Sequence, residues 1–539
     1  MNRAPLPLLG IVAALLAVAG VAALRPDAQE TAELPQAARL PVERTALTCP
    51  RPTGAESAST WYSAFTPPTQ SARGAQEQEG AAFLLPAPEY TPDPDAGAAP
   101  DPDDAEDAED AEDSEGTEDA EDAEDADESE DSAAADEPEV EPVIELAEPG
   151  LPVTTRVNET DAPALAGIAE QWLAPGWTVQ QTTVVSSGEG VGTLGTACQT
   201  PDTEFWFTGA STEDDRHDYV HVVNPDEAAT VVDIEIYGAD GRLEAEHGQA
   251  ITVPGGSNVA VRLSTLLRDP EPGLAVHVAA RSGRVGAQIE VVDEKLGTDW
   301  LPPVTAPVAD TLVLPGIPAG VNASRLSVFA PGEEDIALDI GLAGPTGTIT
   351  PAGHESISAH AGTVTTVDLG DITQGEASSL VLTRTSGSGG GPVIASLHVV
   401  AGEDDERESA FIPAAAPVGE RATAAGNTGS GTRLSLFALD ETVEVEVTYS
   451  AGADGGEPVQ ETYTVDPGTT MTIRPELDDT EGNFALTLTP SSRGGSLWAA
   501  RTLIVDNDGA TTFTTQTLPD DHSRVSVPES GPDLSMLVE

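Results

Sequence analysis

The residues best equipped for chemistry are few. His217 and His221 stand four apart in RHDYVHVV, with Asp218 between them. Residues an even number apart in a strand share a face, so both imidazoles could approach one metal ion. The plainer expectation is a solvated pair on an edge strand. Asp506-Asn507-Asp508-Gly509 starts like an EF-hand loop, but the twelfth position, which needs Glu, is Thr517. A hairpin turn is expected there instead. Nucleophilic catalysis has no framework: a GxSxG elbow is missing, and the only lysine, Lys295, fits neither an SxxK site nor a GxxxxGK[ST] phosphate loop. Carboxylate pairs say little, because 93 Asp and Glu bring many acids together by chance. The aromatic run Phe205-Trp206-Phe207, with Trp172, Trp177 and Trp300, could stack on sugars; with 4% aromatics the core is the expected place for them. No residue is assigned a catalytic, cofactor or metal role, and no cofactor is expected.

Two cysteines remain. Cys49 precedes a long acidic tract and Cys198 follows it. In an exported chain the simplest outcome is one disulfide, which would make the tract an insertion rather than a stalk. Two free thiols in redox or metal service are the alternative, though no CxxC spacing supports it.

Export itself is written at the N-terminus. Ala4 to Leu24 carries no charge, with Arg3 before it and Arg25 after. That is long enough for a membrane-spanning helix of about 20 residues. An uncleaved anchor is expected; a signal peptide cut after Ala17-Val18-Ala19 is the alternative. Either way the rest of the chain is extracytoplasmic. The 93 acids face 23 basic residues, for a net charge of -70. Nucleic-acid binding is excluded, because phosphate neutralisation needs basic surface.

These features must be positioned by elements of structure. Residues 26–40 read as a stalk and PVERTALTCP (41–50) as one strand. From 53 to 154 the chain reads as a disordered insert. Residues 101–150 hold 26 acids and no Lys or Arg, a density that self-repels and buries no core. A loose cation sponge is the functional alternative. From 155 the texture turns to short Val, Ile, Leu and Thr runs between turn residues. The one helix candidate is Ala164–Trp172, after Pro163.

Internal repeats follow. VHVVNP (220–225), LSVFAP (326–331) and LSLFAL (434–439) recur, each followed by an alternating strand, and Gly255, Gly362 and Gly468 mark a turn in each unit. Every unit then closes with two strands about a turn, read as a hairpin. The period is near 106 residues. An all-β fold is expected, with three tandem immunoglobulin-like sandwiches at 155–305, 306–405 and 406–520 and a tail at 521–539. A β-propeller is the alternative, though its period would be about half that observed.

The order of CP (49–50), GTACQTPDTEFWFTGAST (195–212), VHVVNPDEAATVVDIEIYGADGRLE (220–244), ITVPGGSNVAVRL (251–263), LAVHVAARSGRVGAQ (274–288), WLPP (300–303) and LVLPGIPAG (312–320) resembles the actinobacterial domain-of-unknown-function family 5719. The likeness runs through most of 41–520. It implies a single-pass protein with an extracytoplasmic β-rich region, often encoded beside a membrane glycosyltransferase. It carries no catalytic residues across. The expected function is therefore non-catalytic: a membrane-anchored cell-envelope protein, binding or structural, that contacts wall polymer or a membrane partner. An accessory subunit of an envelope glycosyltransferase is the second reading, and an enzyme with a site between repeats the third.

Overall fold

The computed structural model describes residues 38–68, 80–91, 140–158, 162–188, 190–304, 310–403, 407–453, 455–475, 477, 483–491, 495–507 and 509–527. The uncharged N-terminal segment and the centre of the acidic tract lie outside them. Among the described residues there is no α-helix, and no helix long and apolar enough to cross a membrane. The chain divides into two compact units, 1–42 with 524–539, and 43–523. In the first, β1 (Ala38–Pro41) pairs antiparallel with a strand at Arg524–Val527. The stalk and the tail thus each contribute a strand.

The second unit holds four sandwiches, not three. The first is built from β2 (Arg44–Cys49), β3 (Ala58–Phe65), β4 (Ala82–Ala87), β5 (Ile144–Glu145), β6 (Val153–Val157), β7 (Ala164–Glu170), β8 (Thr178–Val185) and β9 (Gly192–Ala197). Its sheets are ordered β2-β7-β4-β5 and β6-β3-β8-β9. The second uses β10 (Glu204–Ala210), β11 (Arg216–Asn224), β12 (Thr230–Gly238), β13 (Gly241–Leu243), β14 (Ile251–Val253), β15 (Ser257–Arg262), β16 (Leu274–Ala280), β17 (Gly286–Asp293) and β18 (Gly297–Leu301). Its orders are β10-β16-β12-β13, with β14 also on β12, and β15-β11-β17-β18. The third comprises β19 (Thr311–Ile317), β20 (Val321–Phe329), β21 (Ile336–Gly344), β22 (Gly347–Ile349), β23 (Ser356–Ala359), β24 (Val364–Asp368), β25 (Ser378–Arg384), β26 (Ile394–Ala401) and β27 (Glu408–Pro413). The fourth comprises β28 (Ala422–Asn427), β29 (Thr432–Ala438), β30 (Val443–Tyr449), β31 (Val459–Val465), β32 (Thr469–Ile473), β33 (Phe484–Pro490), β34 (Leu497–Asn507) and β35 (Ala510–Thr517). Strand order is the same in all four.

That identity corrects the boundaries read from sequence. The first strands start at residues 44, 204, 311 and 422. The first interval is the long one because the acidic tract sits in the β4–β5 connection, where the other units place a short hairpin. Segments 58–65, 82–87 and 144–145, expected within a disordered insert, are therefore strands, and the strand at 153–157 begins before the insert's expected end at 154. The expected first domain at 155–305 splits between two sandwiches. Ala164–Glu170 is a strand rather than a helix, since β2 and β4 hydrogen-bond it on both sides. Tertiary pairing overrides its weak helical preference.

The closing pair of each unit is not a hairpin either. β16 and β17 lie in opposite sheets, as do β25 and β26, and β33 and β34. A turn between two strands looks alike in sequence whether the chain folds back or crosses over. The alternation does decode correctly: in β12 and β30 every second residue is buried. One core fills each sandwich, with Leu326, Val328, Leu380 and Leu382 typical of the third.

The four sandwiches close on one another within their unit. β9, β18, β27 and β35, the last strand of each, lie against each other in a cycle. Asn258 Nδ2 donates to Ala87 O (2.6 Å), Trp498 Nε1 to Ala415 O (3.0 Å) and Asn507 Nδ2 to Val185 O (2.9 Å). Ser396 Oγ donates to Thr208 O. These bonds join first to second, third to fourth, fourth to first, and second to third. Closure of the propeller kind thus occurs between whole sandwiches, while each repeat remains a two-sheet sandwich.

Candidate functional site

The expected disulfide is present: Cys49 at the end of β2 is bonded to Cys198, just after β9, with Cα atoms 4.4 Å apart. It ties the first strand of the first sandwich to its last, across the two sheets, and both sulfurs sit in that sandwich's core. The acidic tract lies inside the closed loop.

His217 and His221 both lie on β11, which is flanked by β15 and β17. It is an inner strand, so the expectation of an edge pair is corrected. The alternation places Val220 and Val222 in the core and turns both imidazoles to the opposite face. That face forms a cleft of about 410 Å³ against the first sandwich. Arg51, Thr53, Glu89 and Val185 come from the first sandwich, and His217, Tyr219, His221 and Glu290 from the second. Within the register, Tyr219 faces Glu290 and His221 faces Gln288. The diagonal neighbour therefore reaches His221: its Nε2 donates to Glu290 Oε2 at 2.9 Å, and both groups are buried.

His217 is held differently. Its Nε2 lies 3.2 Å from Glu294 Oε1, and Arg262 Nη2 donates to its Nδ1 at 2.6 Å. Arg262 also stands over the Tyr219 ring. Arg51 and Glu89 form an ion pair across the cleft's other wall. Asp218 points away from both histidines. It takes a bidentate grip from Arg216, at 3.0 and 2.9 Å, and the Ser211 N–H at 2.8 Å. Burial raises its carboxyl, and the guanidinium opposes that rise. Among the described residues no three His, Cys, Asp or Glu side chains are grouped to hold a metal ion.

A second cluster of titratable groups lies where the four last strands meet. Asp299 on β18 accepts from the Gly195 N–H (3.3 Å), the Thr514 hydroxyl (3.1 Å) and the Phe411 N–H (3.4 Å). Its partners thus come from three other sandwiches. Burial holds it well above the usual carboxylate range, against those donors. Glu408 on β27 accepts from Thr193 N–H at 2.8 Å. Burial pushes it up to about 9, the Thr193 bond pulls it down, and Asp299 adds repulsion. Neither acid was distinguishable among 93 in the sequence. Their common place on the last strand of a repeat was the only signal, and the four-fold alignment is needed to see it.

The aromatic residues go where core residues go. Phe205, Phe207, Trp177 and Trp300 are buried. Trp206 stacks on His277, with ring centroids 4.0 Å apart, and packs against Phe329 of the third sandwich. Asp506 and Asn507 end β34, paired with Thr511 and Ala510 of β35, and the Gly509 N–H of the hairpin turn donates to Asp506 Oδ1 at 2.9 Å.

Residues 153–476 match the model of a family of unknown function, DUF5719. The match starts at the first residue of β6, so it leaves out β2 to β5 and the acidic tract, and it is shorter than the span of resemblance read from the motifs. No curated protein matches the chain.

Proposed function

The chain belongs to the DUF5719 family, and from that premise we propose that it is a non-catalytic extracytoplasmic envelope protein. The uncharged segment 4–24 anchors it in the membrane, and the closed set of sandwiches acts as a rigid binding body in the envelope. The observation that carries this reading is the Cys49–Cys198 bond, since disulfides persist in oxidising compartments and are rare in a reducing cytosol. Binding rather than turnover is favoured by the cleft. Its charged groups are already paired with each other, and its two hydroxyl side chains beside the tyrosine are threonines. Thr298 Oγ1 donates to Val291 O at 2.8 Å, so it is not poised by a base.

Fractionation and affinity purification of the tagged full-length protein from crosslinked membranes test this reading. Recovery in the membrane fraction, with a protease-accessible body outside, is the expected result. A cytoplasmic protein with free thiols would overturn it. Co-purification of a glycosyltransferase, lost when the whole sandwich unit 43–523 is deleted, would instead support the accessory-subunit reading.

A further inference from the structure

Three of the four seams between sandwiches are also crossed by the peptide chain, between β9 and β10, β18 and β19, and β27 and β28. The fourth–first seam is not. It is closed by side chains alone, and its apolar cluster is small: Phe65, Ala425 and Ala485. The third–fourth seam has Val313, Val381, Phe437 and Trp498 in the same role. Polar bonds carry much of the fourth–first contact, such as the hydroxyls of Thr193 and Thr512, 2.5 Å apart. Hydrophobic burial is non-directional and tolerates small shifts, whereas these bonds lapse when the geometry slips. This seam is the one that most needs outside help to stay shut.

The chain is rooted on both sides of that seam. Glu43 O accepts from the Gln171 N–H of the first sandwich at 2.8 Å, and the Asp521 N–H donates to Arg421 O of the fourth at 2.8 Å. The Arg421 guanidinium holds the Asp521 carboxylate and also donates to Pro175 O of the first sandwich, at 3.0 Å. From these roots the chain runs into two paired strands. Only Val42 separates Glu43 from β1, and only His522 and Ser523 separate Asp521 from β36 (Arg524–Val527). The pairing puts Ala38 opposite Val527 and Leu40 opposite Val525, so both apolar pairs share one face. A ribbon of two strands is marginal by itself. With its roots held close by the closed seam, the pairing becomes an intramolecular event at high effective concentration. Such coupling is reciprocal: whatever factor the seam lends the ribbon, the ribbon lends the seam. We propose that β1 and β36 form a clasp that keeps the fourth–first seam shut, so that the cycle of sandwiches opens first where the chain's two ends meet. The proposal is independent of where in the cell the protein works.

Hydrogen exchange of the full-length protein tests it. Leu40→Asp with Val525→Asp sets like charges opposite each other at two exposed positions of the ribbon. Exchange in β9 and β35, which lie against each other across the seam, should speed up about tenfold, while β19 and β29 at the third–fourth seam keep their wild-type rates. Arg39→Cys with Ser526→Cys, at directly opposed positions, should crosslink within one chain and slow exchange in β9 and β35 about threefold or more. Unchanged exchange at the seam in either double variant would overturn the clasp, as would equal acceleration at both seams. Crosslinking of the cysteine variant into dimers would also overturn it, since the strands would then pair between copies.

Discussion

Glu408 and His398 set opposite pH limits on the folded state. Glu408 is raised by burial to about 9, so between its ordinary value near 4.5 and 9 the folded form binds more protons than the unfolded form. Stability from this group is complete below about 4.5 and is lost as pH rises toward 9. Glu408→Gln should flatten that alkaline loss, gaining about 2 kcal/mol or more at pH 9 over the wild type in urea unfolding. An equal decline in both proteins would refute the assignment. His398 runs the other way. It is stacked on Phe411 at 4.5 Å, and burial, with Arg216 and Arg325 nearby, pushes it down to about 3. The unfolded imidazole takes a proton first, so stability falls from about pH 6.5 to 3. His398→Phe should remove that acid-side loss. Nothing in the sequence marks either residue, because burial is a property of the neighbours. The histidine pair was visible, but only the sheet order made β11 an inner strand and brought Glu290 to His221.

Bulged first strands are the elements that join the sandwiches. Gly209, Gly316 and Gly426 have φ of 107°, 80° and 67°, and each lies at a register shift in β10, β19 or β28. A Cβ on Gly316 would meet the Ala500 Cβ of the next sandwich at 2.5 Å. Gly316→Ala should therefore cost about 2–4 kcal/mol, combining backbone strain with overpacking. Gly353→Ala, at φ 84° in open space, should cost only about 1 kcal/mol. Equal losses in the two variants would remove the packing role. The acidic tract makes the converse prediction. Sitting in one hairpin connection, it should be replaceable: swapping residues 92–139 for a short Asn-Gly turn should shift Tm by less than about 3 °C. A loss of cooperative melting would show that the tract supports the fold. The turn landmarks were readable at this scale, with one adjustment. The left-handed glycines are Gly256, Gly362 and Gly468, so the turn recurs one residue later in the second sandwich than Gly255 suggested.

Closure of the whole unit depends on contacts between residues far apart in the chain. Arg501 on β34 is fully buried, and among the described residues no carboxylate pairs with it. Its guanidinium donates to Asn427 Oδ1 (3.1 Å), Gln516 Oε1 (2.6 Å) and Gln180 Oε1 of the first sandwich (3.3 Å), and also to Ala425 O. Burial lowers it to about 10. Arg501→Met would orphan these acceptors and should cost about 3 kcal/mol of stability. A neutral result would mean that the fourth and first sandwiches do not rely on this bridge. The charge of the molecule acts over a longer range. With a net -70, melting temperature should rise from low to molar salt as repulsion is screened. A flat response would contradict self-repulsion as a limit on stability.

The all-β class, the strand alternation, the repeat period and the cysteine pair were all legible along the chain, because each is a local pattern or a count. The first sandwich was not, since an insertion between β4 and β5 broke the period that reveals repeats. The sheet assigned to each strand, the crossovers taken for hairpins, and the meeting of β9, β18, β27 and β35 belong to the tertiary structure. So do the cleft and the buried acids. Each depends on residues up to hundreds of positions apart, and periodicity within a strand reports which face is buried but not what buries it.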